Sequence, residues 1–217
     1  MTDDVLTYID QLKHPHWDKR QEAAEALAEY EDPRAVQSLM EALTDENAWV
    51  RATAATALGN ISDKTATLSI LPLLQEKEWF VRHKAAEALE NLGDQRAATA
   101  LAAVLADESA LVAETAARAL GRIGGEEAFQ ALVGALKSDD WRVREQAAWH
   151  IGAVAGERAV PVLAEVLRRE RVKHIRRKAA ESLATIDADS AREALRQALQ
   201  DKDWGVRMAA EEALQKK

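Results

Sequence analysis

The sequence predicts an all-α protein, a right-handed α-solenoid (α-α superhelix) built from about seven helical hairpins. The first observation behind this prediction is an arginine that recurs at steps of 31 or 32 residues. Its equivalent positions, called the marker positions, are Arg20, Arg51, Arg82, Ala113, Arg144, Arg176 and Arg207. The second observation is a large aliphatic residue seven positions after each marker, at Leu27, Leu58, Leu89, Leu120, Ile151, Leu183 and Leu214. A fixed period of about 30 residues is typical of stacked repeats.

The segment before the first marker predicts a short capping helix within residues 1–13. Its apolar residues are Val5, Leu6, Ile9 and Leu12. Residues 14–217 are then predicted to form the hairpin repeats, with the last repeat as a C-terminal cap, because Glu211 interrupts a pair of small residues that earlier repeats keep. No linker interrupts the repeats, so we predict a single domain over residues 1–217.

The segment around each marker is predicted to be an amphipathic helix. At about 100° per residue, the residue before the marker and a following pair of alanines fall on the same side of the helix as the large aliphatic residue. The small pairs allow a neighbouring helix to approach closely. They are Ala23 and Ala24, Ala54 and Ala55, Ala85 and Ala86, Ala116 and Ala117, Ala147 and Ala148, and Ala179 and Ala180.

A short polar joint follows each marker helix and leads into another predicted helix. Asp32, Asp63 and Asp94 lie where a side-chain oxygen can accept from free amide groups at a helix N-terminus. The following segment has its own recurring alanine, at residues 35, 66, 97, 128, 159 and 191. Each repeat is therefore predicted to be a pair of helices.

Composition excludes several classes of function. The chain contains no cysteine, which removes thiol catalysis, disulfides and thiolate metal sites. A net charge of -8 disfavours general binding of nucleic acid, because that binding depends on neutralising phosphates. We find neither an apolar run long enough for a bilayer nor a basic and apolar leader, and therefore expect a cytoplasmic protein without a membrane partner.

The joint and helix resemble HEAT repeats, in particular the short subgroup known from phycobilisome lyases and related archaeal and artificial repeat proteins. The segments Asp94–Ala97 and Asp139–Ala148 carry this resemblance. In HEAT repeats an acidic residue six positions before the arginine commonly pairs with it, which implies pairs for Arg51, Arg82 and Arg207 with Asp45, Glu76 and Asp201. Ala113 and Ser138 should interrupt this ladder in the middle of the chain. The resemblance implies the fold, while the function varies among scaffolds, adaptors and a few enzymes.

The sequence shows no catalytic constellation, and we predict no catalytic residues, no metal and no cofactor. None of the five histidines forms a His-Glu or His-x-x-x-His pair on one helical face. The HEAT-like iron hydroxylases are marked by consecutive His-Glu residues, and the sequence contains none. His14 and His16 could hold a metal loosely, but a metal site needs several convergent ligands, so a polar turn is the preferred interpretation. Whether the protein is an enzyme stays open, with a non-enzymatic role preferred.

The six tryptophans are the candidate binding residues, because all of them are predicted to avoid the apolar face. Trp141, Glu145 and Trp149 are spaced four apart and should form one stripe on a helix. The resemblance places such outward positions on the concave face formed by the second helices. The remaining aromatic candidates are Trp17, Trp49, Trp79, Phe80 and Trp204. For the four tryptophans three positions before a marker, packing on the adjacent joint is an equal alternative.

A basic segment, residues 168–178, is the second unusual feature. It contains seven basic residues and one acidic residue in a chain of net charge -8. Lys173 and Arg177 should lie next to the tryptophans of the preceding repeat, where they could attract acidic groups. The alternative is that these charges are solvated or paired with Glu165 and Glu181.

These features predict a protein-interaction module that binds a protein partner, with an acidic segment of that partner near Lys173 and Arg177. Two alternatives remain open. The subgroup resemblance suggests a bilin lyase or chromophore-handling subunit, in which aromatic faces would hold a small-molecule bilin. HEAT-like DNA alkylation-repair glycosylases also combine tryptophan with basic residues, although the acidic balance of this chain counts against nucleic acid.

Overall fold

A computed structural model describes residues 4–215 of the chain. These residues form α-helices joined by short turns and 3-10 helices, and no β-strand occurs among them. They belong to two compact units, unit 1 (residues 1–123) and unit 2 (residues 124–217). The predicted all-α helical-repeat class is confirmed. The prediction of one domain over residues 1–217 stays a prediction, because a division into units does not reveal whether they unfold together.

Unit 1 contains four helical hairpins. The first helix of each hairpin is short and the second, which carries the marker, is longer. The first helices are α1 (Asp4–Gln11), α3 (Val36–Ala42), α5 (Thr67–Ile70) and α7 (Ala98–Ala103). The second helices are α2 (Trp17–Tyr30), α4 (Ala48–Ile61), α6 (Trp79–Leu92) and α8 (Ala110–Ile123). The predicted capping segment corresponds to α1, which packs on α2 as the first helix of a hairpin.

Unit 2 contains three hairpins of the same kind. Its first helices are α9 (Gly125–Ala135), α11 (Val160–Arg169) and α13 (Asp189–Ala198). Its second helices are α10 (Trp141–Ala155), α12 (Lys173–Ala184) and α14 (Trp204–Gln215).

The predicted apolar face of the second helices forms the core of both units. The six predicted alanine pairs are buried, as are the large aliphatic residues after the markers except Leu214, which is partly exposed. Neighbouring second helices pack in order, α2 to α8 in unit 1 and α10 to α14 in unit 2. A Cβ atom added at Gly59 would lie 2.7 Å from the Cα atom of Ala88, so the approach of α4 and α6 requires small residues.

The predicted N-caps are confirmed. The side chains of Asp32, Asp63 and Asp94 each accept a hydrogen bond from the amide two residues later. These bonds open the 3-10 turns that lead into α3, α5 and α7, where backbone amides would otherwise lack a partner.

The arginine ladder differs from the expectation stated above. Each described ladder arginine donates to the backbone carbonyl six residues earlier and not to the side chain of that residue. Its carboxylate partner lies ahead of it, in the following repeat: Arg20 with Asp45, Arg51 with Glu76, Arg82 with Asp107, Arg144 with Glu170, and Arg176 with Asp201. The predicted acids therefore take part, but each pairs with the arginine of the preceding repeat. The marker position at Ala113 supplies no arginine to this ladder.

Most ladder pairs are largely buried, so water screens the attraction between their charges less than it would at the surface. Arg176 and Asp201 are joined by two hydrogen bonds of 2.8 and 2.9 Å. Hydrogen bonds from Arg176 hold the pKa of Asp201 below its ordinary value, although burial acts in the opposite direction. A carboxyl with a lowered pKa in the folded state stabilises the fold above its ordinary pKa and loses that contribution as the pH falls.

The single 32-residue step is located in α11. The ladder acid Glu170 lies eleven positions after Ala159, whereas Asp45 lies ten positions after Ala35 and Glu76 ten positions after Ala66. The additional residue lengthens the first helix of this hairpin, so that α11 continues to Arg169.

Candidate functional site

The candidate site is the solvent side of the second helices in unit 2, named here the second-helix face. Each helix contributes three residues spaced four apart, so that the three lie on one side of the helix. They are Trp141, Glu145 and Trp149 on α10, Lys173, Arg177 and Glu181 on α12, and Trp204, Met208 and Glu212 on α14. Since α12 packs on both α10 and α14, the three stripes are neighbours.

The tryptophans of this face are accessible. Trp141, Trp149 and Trp204 are 48%, 42% and 67% exposed. Trp141 and Trp204 begin their helices, whereas Trp149 lies in the middle of α10. Large aromatic side chains left in solvent are common anchors of protein interfaces, because a partner gains much contact area by covering them.

One side of the Trp149 ring is covered by a cation that the sequence interpretation did not single out. The Nζ atom of Lys178 lies 3.8 Å from the ring centroid, a cation-π contact between α12 and α10. Burial lowers the pKa of the adjacent His150, and the charge of Lys178 lowers it further. The positions of Trp149 and Lys178 in their repeats could have indicated neighbouring helices, but not which lysine reaches the ring.

The basic residues of α12 are matched by carboxylates. Lys173 lies 3.5 Å from Asp203, Arg177 lies 2.8 Å from Glu181, and Lys178 also contacts Glu181 at 2.9 Å. The alternative interpretation of paired charges therefore describes the local geometry. Lys173 and Arg177 nevertheless keep 59% and 58% of their side-chain surface exposed.

A groove lies between α12 and α14 and has a volume of about 260 Å³. Its walls include Trp204 and Met208 from α14 and Arg177 and Glu181 from α12. Trp204 and Met208 on one wall and Arg177 on the other suit a segment with one apolar and one charged side chain. Sequence reasoning missed Glu181 as a groove residue, and Met208 and Glu212 were not among its candidates.

The other aromatic candidates lie in unit 1, where three of them form a cluster. The rings of Trp49 and Phe80 stack with centroids 4.2 Å apart, and Trp79 meets the edge of Phe80 at 6.3 Å. Trp49 and Trp79 remain 53% and 48% exposed. Trp17 begins α2 and is 45% exposed. All six tryptophans are therefore accessible, while Trp49 also packs against a neighbouring repeat.

The described residues contain no group of three or more His, Asp or Glu side chains arranged to hold a metal ion. His14 uses its Nδ1 atom to accept a hydrogen bond from the His16 amide at 3.1 Å. This bond gives the two histidines a local structural role in the turn before α2.

Tandem helical hairpins, small residues between second helices and an arginine ladder define a helical-repeat protein. The family model for HEAT repeats matches residues 5–71, 50–113, 100–184 and 173–216. These matches span nearly the whole chain, which belongs to the HEAT-repeat family.

Solved structures with the same fold come from natural and engineered proteins. The complex of CpcE and CpcF of phycocyanin lyase from Nostoc sp. PCC7120 is 24% identical, with a TM-score of 0.56 over 98% of this chain and 94% of that chain. An engineered protein is 25% identical, with a TM-score of 0.53 over 99% and 96% of the two chains. A designed armadillo repeat protein in complex with the peptide (KR)4 is 19% identical, with a TM-score of 0.53 over 98% and 99%.

No curated protein sequence matches the chain. Among residues 4–215, no helix combines the length and the apolar character that crossing a membrane requires.

Proposed function

We propose that this protein is a protein-interaction module and that its second-helix face binds a segment of a partner protein. The observation that carries the proposal is the exposure of Trp141 and Trp149 on α10 and of Trp204 on α14, the two helices that flank α12 in unit 2. A partner that covers these rings removes a large apolar surface from water, and buried aromatic anchors of this kind often contribute about 2 kcal/mol or more each.

We propose that the partner presents an acidic segment to Lys173 and Arg177. These cations are held by Asp203 and Glu181, but the pairs lie at the surface. Exposed ion pairs contribute about 0 to 1 kcal/mol, so a carboxylate of the partner can replace an intramolecular one at little cost. The charges then orient the partner, while the tryptophans supply most of the affinity.

The experiment compares partner capture by the parent protein, a Trp141→Ala/Trp149→Ala/Trp204→Ala variant and a Leu68→Ala/Leu111→Ala control. The control residues are 56% and 50% exposed and lie in unit 1. A partner that uses the second-helix face should bind the parent and the control and be lost from the tryptophan variant. Equal capture by all three proteins would show that this face is not the site.

Kinetics of the identified partner separate the two roles. Trp149→Ala should mainly increase the dissociation rate, because it removes buried contact area. Lys173→Glu/Arg177→Glu should slow association and reduce its dependence on salt, because it removes the attraction that guides the encounter. Binding of a linear tetrapyrrole by the purified protein, lost with the tryptophans, would instead favour the chromophore-handling alternative.

A further inference from the structure

A second groove lies in unit 2 between two first helices, α9 and α11. It has a volume of about 500 Å³. Its apolar walls are formed by Val133 of α9, Leu136 directly after α9, and Val162 and Val166 of α11, all partly exposed. Val162 is unusual in its register, because the equivalent first-helix positions hold Ser38, Ser69, Ala100, Ala131 and Ala194.

The rim of this groove carries two cations, Lys137 and Arg169, and two carboxylates, Glu165 and Glu170. Lys137 lies two residues after α9 and Arg169 is the last residue of α11, at equivalent positions seven residues before their markers. Lys137 is exposed and forms no ion pair within residues 4–215. Arg169 meets Glu165 at 3.2 Å, but 78% of its side chain is exposed. The carboxylate of Glu170, also in the rim, is already neutralised by Arg144 at 3.0 Å.

The additional residue in α11 belongs to this groove. It lengthens α11 through Arg168 and Arg169, which extends the wall and brings a cation to its end. Arg171, which follows Glu170, is also exposed and has no ion-pair partner among the described residues. Within residues 4–215, Arg168 and Arg171 thus form no ion pair and Arg169 meets Glu165, whereas the cations on α12 are paired with carboxylates.

We propose that the groove between α9 and α11 binds an amphipathic segment of a partner protein, with aliphatic side chains between the valines and carboxylates at Lys137 and Arg169. Among the described residues Lys137 has no ion pair and Arg169 remains largely exposed, so these two cations can attract acidic groups in a chain of net charge -8. The aliphatic walls require apolar groups, which a nucleic-acid backbone does not offer. This site is distinct from the second-helix face, so either proposal can fail without the other.

The probe is a short synthetic helical peptide with leucines on one face and glutamates on the other, compared with the same peptide carrying lysines in place of glutamates. Binding is followed by methyl NMR of the full-length protein labelled at valine and leucine. The acidic peptide should shift the methyl signals of Val133, Leu136, Val162 and Val166 and leave those of Leu6 and Leu68 unchanged. The lysine peptide should not bind.

Two substitutions test the rim and the wall separately. Lys137→Glu/Arg169→Glu should weaken binding of the acidic peptide about tenfold or more, since two attractions become repulsions. The control Lys13→Glu/Lys77→Glu changes the net charge equally at exposed lysines of unit 1 and should change affinity less than about twofold. Val162→Asp should abolish binding, whereas Leu68→Asp, at an exposed position, should not.

The proposal is overturned if the groove methyl signals do not move, or if the two charge variants bind the acidic peptide equally. It is also overturned if single-stranded DNA displaces the acidic peptide and shifts the same signals. Self-association that shifts these signals in the protein alone would assign the groove to a second copy of the chain. Circular dichroism of each variant verifies that the fold is retained, and Lys137→Glu/Arg169→Glu remains a valid test if Val162→Asp unfolds.

Discussion

Two rungs of the ladder differ in how well the carboxylate satisfies the hydrogen-bond donors of its arginine. Asp107 accepts hydrogen bonds from both the Nε and Nη2 atoms of Arg82, at 2.6 and 2.8 Å. Glu76 accepts only from the Nη2 atom of Arg51, at 3.0 Å. The Nε atom of Arg51 is buried and lacks a hydrogen-bond partner among residues 4–215. A buried polar atom without a partner weakens the fold, because it has lost its hydrogen bond to water.

Glu76→Asp should therefore stabilise the protein. The shorter side chain can adopt the two-bond geometry of Asp107, which satisfies Arg51 Nε and should raise the free energy of unfolding by about 1 kcal/mol. Chemical denaturation followed by circular dichroism measures this change. The control Asp107→Glu should lower stability by a similar amount. A lower denaturation midpoint for Glu76→Asp would show that the buried Nε atom is not what limits this rung.

The recurring residue types predicted which arginines form the ladder and which aromatic side chains are exposed. The repeat period identified the equivalent arginines, and the helical turn of about 100° per residue indicated that the tryptophans lie away from the apolar face. The predicted direction of the ladder was wrong. We expected Arg51 to pair with the side chain of Asp45, six residues earlier. Arg51 instead donates to the backbone carbonyl of Asp45 and to the carboxylate of Glu76 in the following repeat. Sequence separation alone cannot decide between these two partners.

The second helices pack through their alanine pairs, and this sets how far apart the helices lie. In unit 2, α12 packs between α10 and α14, and Ala179 and Ala180 are fully buried. On the same helix, Ser182 accepts a hydrogen bond from the Gly152 amide of α10 at 3.1 Å, a bond that needs close approach. Space at this contact is limited, so volume added there strains the packing.

Ala180→Leu should destabilise the protein by about 1 to 3 kcal/mol, because three additional carbon atoms force α12 away from its neighbours. The matched control is Ala153→Leu on α10, where the alanine is exposed and the larger side chain can extend into solvent. Thermal and chemical unfolding of both variants measure the difference. Equal midpoints for the parent and Ala180→Leu would contradict the assignment of this pair to the close contact.

The elements themselves were largely predictable, whereas the spaces between them were not. Periodicity indicated the buried faces, and Asp32, Asp63 and Asp94 indicated the starts of helical turns. The groove between α9 and α11 depends on how far two first helices lie apart, and no local pattern specifies that distance. The contact of Lys178 with Trp149 likewise depends on the conformations of two side chains from different repeats.

The two units each contain complete hairpins with their own buried residues. Unit 1 ends at the end of α8, and unit 2 begins at the start of α9. In repeat proteins stability is approximately the sum of terms for each repeat and for each contact between neighbours. A division that leaves every hairpin whole therefore removes less stabilisation than a division within a helix.

A chain cut after Ile123 should give two fragments that keep their helical structure, whereas a cut after Lys84, within α6, should leave the fragment that ends there largely unfolded. Far-ultraviolet circular dichroism and thermal unfolding of the fragments provide the measurement. One shared transition in the full chain would support the predicted single domain. Loss of helix from both fragments cut at Ile123 would mean that the boundary between the units does not separate folding elements.

The ladder also governs how such a chain can change in length. An arginine reaches six residues back to a carbonyl and, for most rungs, 25 residues forward to a carboxylate, and together these reaches equal one 31-residue period. Tandem duplication or loss of one whole period therefore leaves every remaining rung with a partner at the correct spacing. A single inserted residue changes the forward reach of only one rung, as at Arg144, whose partner Glu170 lies 26 residues ahead. The array can thus vary in repeat number without new contacts.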